Sequence, residues 1–435
     1  TSNSKITAQA STINGVTGDV EIAEMWRESF EKLYSMHSND GLVQEFEDFN
    51  NDSLHIIKLI DMNIAIKQLK CHKACGPDGI QSEAIKHGGH LLSVHLTLLF
   101  NMCLSHCYLP KGLMMTTVLP LLKNKSADIS DVNNYRAIAL SNCLSKLLES
   151  VILDVFQSCD TYDDCHQFGF KKNHSTALGY GALKSVVDYY RNHGSYVFAC
   201  FLDLSKAFDS VNHINLFRTI KNLKFPANVV RLLVYWYANQ EINIRWKTIV
   251  TNSFYMKNGT RQGSLLSPYL FCIYMRKITR DIINSGIGCH IGGMPVNIIL
   301  YADDIVVLAP SWFAQQSLLN LCLKSVTHLG MKFNACKSVT MIFEPRKAAS
   351  RVNYCFPKFT LGGAALEIVN KCKYLGFIVT SSADDNADIL HQMSPSDARS
   401  NILIRTFCRC SRHVKLCLFR AHCLSFYGAA LWNCY

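Results

Sequence analysis

The chain contains no run of about 20 apolar residues, the length a helix needs to cross a bilayer, so no membrane-spanning helix is expected. Its first residues, from Thr1-Ser2-Asn3 onward, are polar and lack both an apolar signal segment and an initiator methionine. The chain therefore reads as a fragment or processed piece of something larger, working in the nucleus or cytoplasm. Internal repeats and low-complexity tracts are also missing, which argues against a repeat architecture. The paired C-x-x-C knuckle of a zinc module is absent too. The cluster Cys408, Cys410, His413, Cys417, His422 and Cys423 has other spacings and overlaps an apolar helical pattern, so structural zinc is the weaker reading of it. The 19 cysteines are scattered rather than arranged as a short disulfide framework, which suits a reducing compartment.

What is present is basic charge on an otherwise ordinary globular composition. Lys and Arg number 44 against 33 Asp and Glu, a net +11. That excess favours a polyanionic partner whose binding weakens with salt, although a merely basic soluble protein fits the charge equally well. At 435 residues the chain suits two or three subdomains. Residues 1 to about 52 are polar and weakly periodic, with one helix expected around Ile22 to Met36, and read as a linker or an extension packed on the body. Helices are expected over Asp61–Leu69, over Cys143–Phe156, and over Ser175–Asn192 with Leu183, Val186, Val187 and Tyr190 on one face. Two short strand-like pieces around Leu119–Lys123 and Asn134–Leu140 flank a polar loop. They present Lys123 and Arg136 as candidate phosphate ligands or as solvated surface charges. A strand alternating Ile242, Ile244 and Trp246 makes Trp246 a packing residue. Gly259-Thr260-Arg261-Gln262-Gly263-Ser264 opens a helix, bringing a glycine-framed backbone to a helix N-terminus that suits a phosphate-bearing ligand.

Two acidic stretches carry the chemistry. Tyr301-Ala302-Asp303-Asp304 is flanked by the short β-branched runs Val296–Leu300 and Ile305–Ala309, a pattern that predicts a hairpin whose turn pushes both aspartates out of an apolar sheet. Adjacent carboxylates repel and raise one another's pKa unless a cation lies between them. Tyr196–Leu202 is a continuous apolar run, expected as a buried strand that ends at Asp203. After it, Ser205 is expected to cap a helix through Phe208 and Asp209. Three carboxylates at strand ends could hold two Mg2+ ions about 3.5 to 4 Å apart, the arrangement of nucleotidyl transfer. The element order describes an α+β domain with an antiparallel sheet.

Seven blocks in order resemble the reverse transcriptases of non-LTR retrotransposons, the long interspersed element class. They are Gly76-Pro77-Asp78-Gly79-Ile80, Asn134–Ser141, Gln167-Phe168-Gly169-Phe170, Phe201–Asp209, Gly259–Pro268, Tyr301–Asp304, and Tyr374-Leu375-Gly376-Phe377. The resemblance covers roughly residues 61 to 435. It implies a right-hand polymerase fold with an antiparallel palm sheet: an N-terminal extension over 1–60, fingers with the start of the palm over 61–195, palm over 196–380, and a truncated start of a thumb over 381–435. It implies that Asp203, Asp303 and Asp304 are the catalytic, Mg2+-binding carboxylates, Asp304 the less direct ligand, and that Lys337 of Asn334-x-x-Lys337 is a candidate proton donor to pyrophosphate. Lys123, Arg136, Leu204, Phe208, Arg261, Gln262 and Gly263 would bind the incoming deoxynucleoside triphosphate, with the Phe208 ring excluding a 2′-hydroxyl. From the residues alone Phe208 could equally be a helix core residue. Tyr301, Tyr374, Leu375 and Gly376 would contact the primer. Template RNA and a DNA primer or target are the implied partners, and nothing fixes an oligomeric state. Ala137 departs from the family's usual proline, the endonuclease that commonly precedes this polymerase is not in the chain, and the thumb stops early. An inactive relic that folds and binds nucleic acid is the rival reading.

Overall fold

Apolar residues at helical or alternating spacing sort the chain into elements that each bury one face. The computed structural model describes residues 11–50, 53–124, 127–162, 164–353, 355–424, 426 and 428–432. The elements that matter for the site begin with helices α1 (Asp19–Leu33), α2 (Leu59–Gln68) and α3 (Gly89–His106). Strands β1 (Met115–Leu122) and β2 (Tyr135–Ser141) follow, then helices α4 (Cys143–Cys159) and α5 (Thr176–Asn192). Strand β3 (Val197–Leu202) leads to helices α6 (His213–Lys221) and α7 (Ala227–Ala238), strand β4 (Glu241–Trp246) and helix α8 (Ser267–Asn284). Next come the hairpin β5 (Ile298–Tyr301) and β6 (Asp304–Ala309), helix α9 (Trp312–His328) and strand β7 (Val339–Phe343). The chain closes with the hairpin β8 (Lys371–Tyr374) and β9 (Phe377–Thr380) and helices α10 (Asn386–Thr406) and α11 (Arg412–His422).

These elements form two compact units, neither of them one continuous segment. The first comprises Thr1–Asp163, Lys206–Met275 and Leu329–Met331, and the second Asp164–Ser205, Arg276–His328 and Lys332–Tyr435. In the first unit β1 pairs antiparallel with β2 and parallel with β4, so this sheet is mixed where an antiparallel one was expected. A parallel pair needs a crossover, and strand alternation carries no information on direction. Its core gathers Trp26, Phe30, Tyr135, Ile242, Ile244 and Trp246. Trp246 is thus a packing residue, as its alternation indicates. Helix α1 contributes Ile22, Trp26 and Phe30 at i, i+4 spacing, so the polar N-terminal segment is built into this core.

In the second unit the sheet order is β5-β6-β3-β7 with the short strand Glu367–Ile368 at the edge. All pairs are antiparallel except the last. Strand β3 is almost wholly buried, because Val197 and Ala199 pack toward Leu183, Val186 and Val187 of α5. The Ser175 hydroxyl caps α5 by accepting from the Leu178 N–H at 3.3 Å.

The helix expected directly after Asp203 is not there. Lys206 takes a left-handed φ of 49°, Ala207–Ser210 is a short 3-10 turn, and α6 starts only at His213 behind the Asn212 cap. The physical reason is that the Phe208 and Val211 carbonyls accept from the N–H groups of Thr260 (2.8 Å) and Gly259 (2.7 Å). Those acceptors are unavailable to an α-helical ladder.

Candidate active site

Hydrogen-bond register brings the acidic strand ends together. Strands β3 and β6 pair with Leu202 opposite Ile305, so one step further along the same antiparallel ladder Asp203 stands opposite Asp304. Within the hairpin Tyr301 pairs with Asp304, which leaves Ala302 and Asp303 as a two-residue turn with Ala302 at a φ of 59°. Partial removal from water, and then the charges of Asp303 and Asp203, push the Asp304 carboxyl up to about 6. This happens although much of its side chain is open to solvent. Asp304 thus feels two like charges at one end of the sheet, the electrostatic condition in which a divalent cation is favoured.

A second set of contacts fixes the turn. The Gln167 Oε1 accepts from the N–H groups of Ala302 (3.0 Å) and Gly169 (2.8 Å). Backbone bonds from Phe168 N–H to the Leu300 carbonyl and from Leu300 N–H to the His166 carbonyl, both 2.8 Å, attach this segment to β5. Gly169 lies so close that a Cβ there would stand 2.3 Å from the Ala302 nitrogen, a contact no larger residue survives unmoved. The sequence showed this block without revealing that it braces the hairpin. The glycine between two aromatics was the available signal for a close backbone approach.

On the other side of β3, the stretch Asn334–Lys337 bulges between two registers, Val339 opposite Phe201 and Phe333 opposite Leu204. The Asn334 N–H donates to the Asp203 carbonyl at 2.8 Å, and the Asp203 N–H donates to the Ser338 hydroxyl at 3.1 Å. Lys337 is exposed on this bulge, and Leu204, which follows Asp203 in sequence, is buried. Of the expected primer contacts, Tyr301 is half-buried and Gly376 exposed, with Leu375 and Gly376 forming the β8–β9 turn. Tyr374 instead lies in the core against Phe201, ring centroids 5.3 Å apart. Burial, and then the Asp304 charge, raise its hydroxyl pKa far above the usual phenol.

The nucleotide-loop residues belong to the first unit. Phe208 is half-buried, with its ring stacked on Phe271 at 4.3 Å. Arg261 points inward: its guanidinium pairs with buried Glu149 and lies 4.8 Å over the Trp236 ring. Glu149 also accepts from the Ser264 hydroxyl (2.8 Å) and the Leu265 N–H (2.9 Å). The Gln262 carbonyl accepts from the Ala139 N–H at 2.8 Å, and a Cβ on Gly263, which has a φ of 119°, would meet the Ala139 carbonyl at 2.8 Å. The side-chain amide of Gln262 donates to Asp209, 3.2 and 3.3 Å from its two oxygens. Lys123 and Arg136 are both exposed at the loop end of the β1–β2 hairpin, and the Lys123 ammonium also donates to the Asn133 carbonyl at 2.7 Å. Glu149, Asp209 and Tyr34 are bonded to this loop or to each other, contacts that the sequence did not suggest. A single carboxylate on the apolar face of α4 was the signal for Glu149, since a buried charge requires a partner.

Among the described residues no three His, Cys, Asp or Glu side chains are gathered as a closed cage for an ion. Cys408 and Cys417 are exposed, and every described cysteine is a free thiol. Asp203, Asp303 and Asp304 are likewise not gathered closely enough to form such a group as they stand. No helix among the described residues is long and apolar enough to cross a membrane.

Residues 122–379 match the family described as reverse transcriptase (RNA-dependent DNA polymerase). Among similar proteins, the RNA-directed DNA polymerase from mobile element jockey of Drosophila funebris is 27% identical over 335 residues, 75% of this chain and 35% of that protein. A probable RNA-directed DNA polymerase from transposon BS of Drosophila melanogaster is 27% identical over 337 residues, 74% and 35% of the two chains. The Pol polyprotein from type-2 retrotransposable element R2DM of the same fly is 24% identical over 331 residues, 74% and 30%. The chain thus spans about a third of the length of these relatives. With more than half of its residues matched, the chain belongs to the reverse transcriptase family, and its relatives are the RNA-directed DNA polymerases of non-LTR retrotransposons.

Proposed function

We propose that this chain is the polymerase core of a non-LTR retrotransposon, extending a DNA 3′-hydroxyl on an RNA template with deoxynucleoside triphosphates. The observation that carries this reading is the register that sets Asp203 opposite Asp304 with Asp303 at the adjoining turn. Three carboxylates brought to one sheet end are a donor set for hard divalent cations, and Asp203, Asp303 and Asp304 would hold Mg2+. Bound Mg2+ would supply positive charge to the oxygens between which the phosphoryl group moves. In the reaction the primer 3′-oxygen bonds to the α-phosphorus as the bond to the bridging oxygen breaks, and pyrophosphate leaves. Lys337, exposed on a bulge whose Asn334 is bonded to the Asp203 backbone, would give that leaving group a proton.

In this reading the β5-β6-β3-β7 sheet is the palm, residues 61–195 supply the fingers with the start of the palm, and α10 and α11 begin a thumb. Lys123 and Arg136 meet the triphosphate as exposed cations, whereas Arg261 acts by holding the Gln262–Gly263 backbone in place. Phe208 excludes a 2′-hydroxyl with its ring. Tyr301, Leu375 and Gly376 touch the primer, and buried Tyr374 shapes the hairpin beneath it. The test is primer extension on a homopolymer RNA template. Incorporation should require Mg2+ and vanish in Asp303→Ala, whereas equal incorporation by wild type and variant would remove the assigned centre.

A further inference from the structure

Asp209 is a carboxylate only 6% exposed, next to Phe208 and outside the metal-binding trio. Its surroundings form one connected network within the first unit. One oxygen accepts from the Tyr34 hydroxyl at 3.1 Å, and both accept from the Gln262 amide. Its backbone carbonyl accepts from the Asn258 amide at 2.7 Å, and that same amide donates to the Leu33 carbonyl at 3.0 Å. Asn258 also accepts from the His37 N–H at 3.2 Å, and the Lys257 N–H donates to the Tyr34 carbonyl at 2.8 Å. Residues 33–37, at the end of α1, are therefore tied to the strand that leads into the Gly259–Gly263 loop and to the turn that carries Phe208.

We propose that Tyr34 and Asp209 are positioning residues for nucleotide binding: Tyr34 holds the Asp209 carboxylate, and Asp209 holds the Gln262 amide nitrogen so that its carbonyl oxygen is offered to the incoming deoxynucleoside triphosphate. An ionised carboxylate only accepts hydrogen bonds, so it dictates which end of the Gln262 amide faces it. Burial raises Asp209 to about 6, against which the Tyr34 and Gln262 hydrogen bonds and the charges of Lys206 and Lys123 act, and the group is ionised at neutral pH. The N-terminal helix thereby becomes part of the nucleotide machinery. The inference rests on the proposed role of the Gly259–Gly263 loop in supporting the substrate.

The experiment is steady-state primer extension at neutral pH with the full chain, comparing Tyr34→Phe, Asp209→Asn, Asp209→Ala, Gln262→Ala and the Tyr34→Phe/Gln262→Ala double variant. Tyr34→Phe deletes one oxygen within the packing and should raise KM for the deoxynucleotide about three- to tenfold, more than it lowers kcat, as expected for one lost hydrogen bond. Asp209→Ala should raise KM further, and Asp209→Asn, which keeps one acceptor oxygen, should recover part of that loss. The double variant should be no worse than Gln262→Ala, because Tyr34 acts through Gln262. If Gln262→Ala raises KM while Tyr34→Phe leaves it unchanged, the positioning role is wrong and the loop's role stands. If Gln262→Ala itself leaves KM unchanged, the loop does not support the nucleotide and both readings fall. Variants that lose thermal stability and kcat together, with KM unmoved, would contradict the proposal as well.

Discussion

The carboxylate hairpin and the Gly259–Gly263 loop solve opposite electrostatic problems. The hairpin and the end of β3 gather three like charges at one sheet end, held by strand pairing and by contacts to Gln167 and Gly169. The loop buries its charges and neutralises them with remote partners. Arg261 and Glu149 are 112 positions apart, Gln262 and Asp209 are 53 apart, and Tyr34 and Asp209 are 175 apart. The sheet end gathers charges of one sign, whereas the loop pairs its buried charges with opposite or hydrogen-bonding partners. Mutations should therefore act on chemistry in the hairpin and on stability or substrate fit in the loop.

The largest effect is expected where one buried charge is stripped of its partner. Arg261→Met leaves Glu149 alone in the core and should cost about 3 to 5 kcal/mol in urea unfolding, while adding Glu149→Gln should restore much of it. A loss below about 1 kcal/mol would mean that the pair is not truly desolvated.

The loop's histidine gives a pH signature of the same kind. The His213 Nε2–H donates to the Gly259 carbonyl, 2.8 Å away, and burial lowers the pKa of the ring to about 4. Its value in the folded state lies below the unfolded one of about 6.5, so its contribution to stability is fully present above that pH and is lost as pH falls through 4. Wild-type protein should lose about 3 kcal/mol between pH 7.5 and 4 from this group, and His213→Gln should flatten that slope. Parallel slopes would show that His213 titrates normally in the folded chain.

In the hairpin, Gly169→Ala should cost about 1 to 3 kcal/mol of unfolding free energy and lower the extension rate about a hundredfold, because the Cβ displaces the turn bearing Asp303. An active Gly169→Ala enzyme would show that the turn need not be fixed. Phe208→Val should lower discrimination against ribonucleotides about tenfold, the scale for a pocket that loses a steric wall. An unchanged ratio would assign the ring solely to its stack on Phe271.

The same contrast governs what could be read from the residues in order. Strand β3, the β5–β6 hairpin, the helix ending at Asn192 and the Trp246 packing position all follow from patterns a few residues long, and each is found. The missing helix after Asp203 is a different case, since the Phe208 and Val211 carbonyls are taken by Thr260 and Gly259, about fifty residues away. Local propensity has no term for a distant donor. The parallel β1–β4 pair, the discontinuous units, and the built-in N-terminal helix likewise depend on chain direction and long-range pairing. For the site, the three aspartates stood out as charges in apolar frames, while Tyr34, Glu149 and Asp209 became visible only once their partners were placed.

The most direct test of the central claim is Mn2+ binding by the full chain, followed by electron paramagnetic resonance, in wild type, Asp203→Asn and Asp303→Asn. Because the two aspartates come from segments a hundred residues apart that meet at one sheet end, either substitution alone should weaken binding at least tenfold relative to wild type. Full-strength Mn2+ binding by Asp203→Asn alongside loss in Asp303→Asn would contradict a shared site.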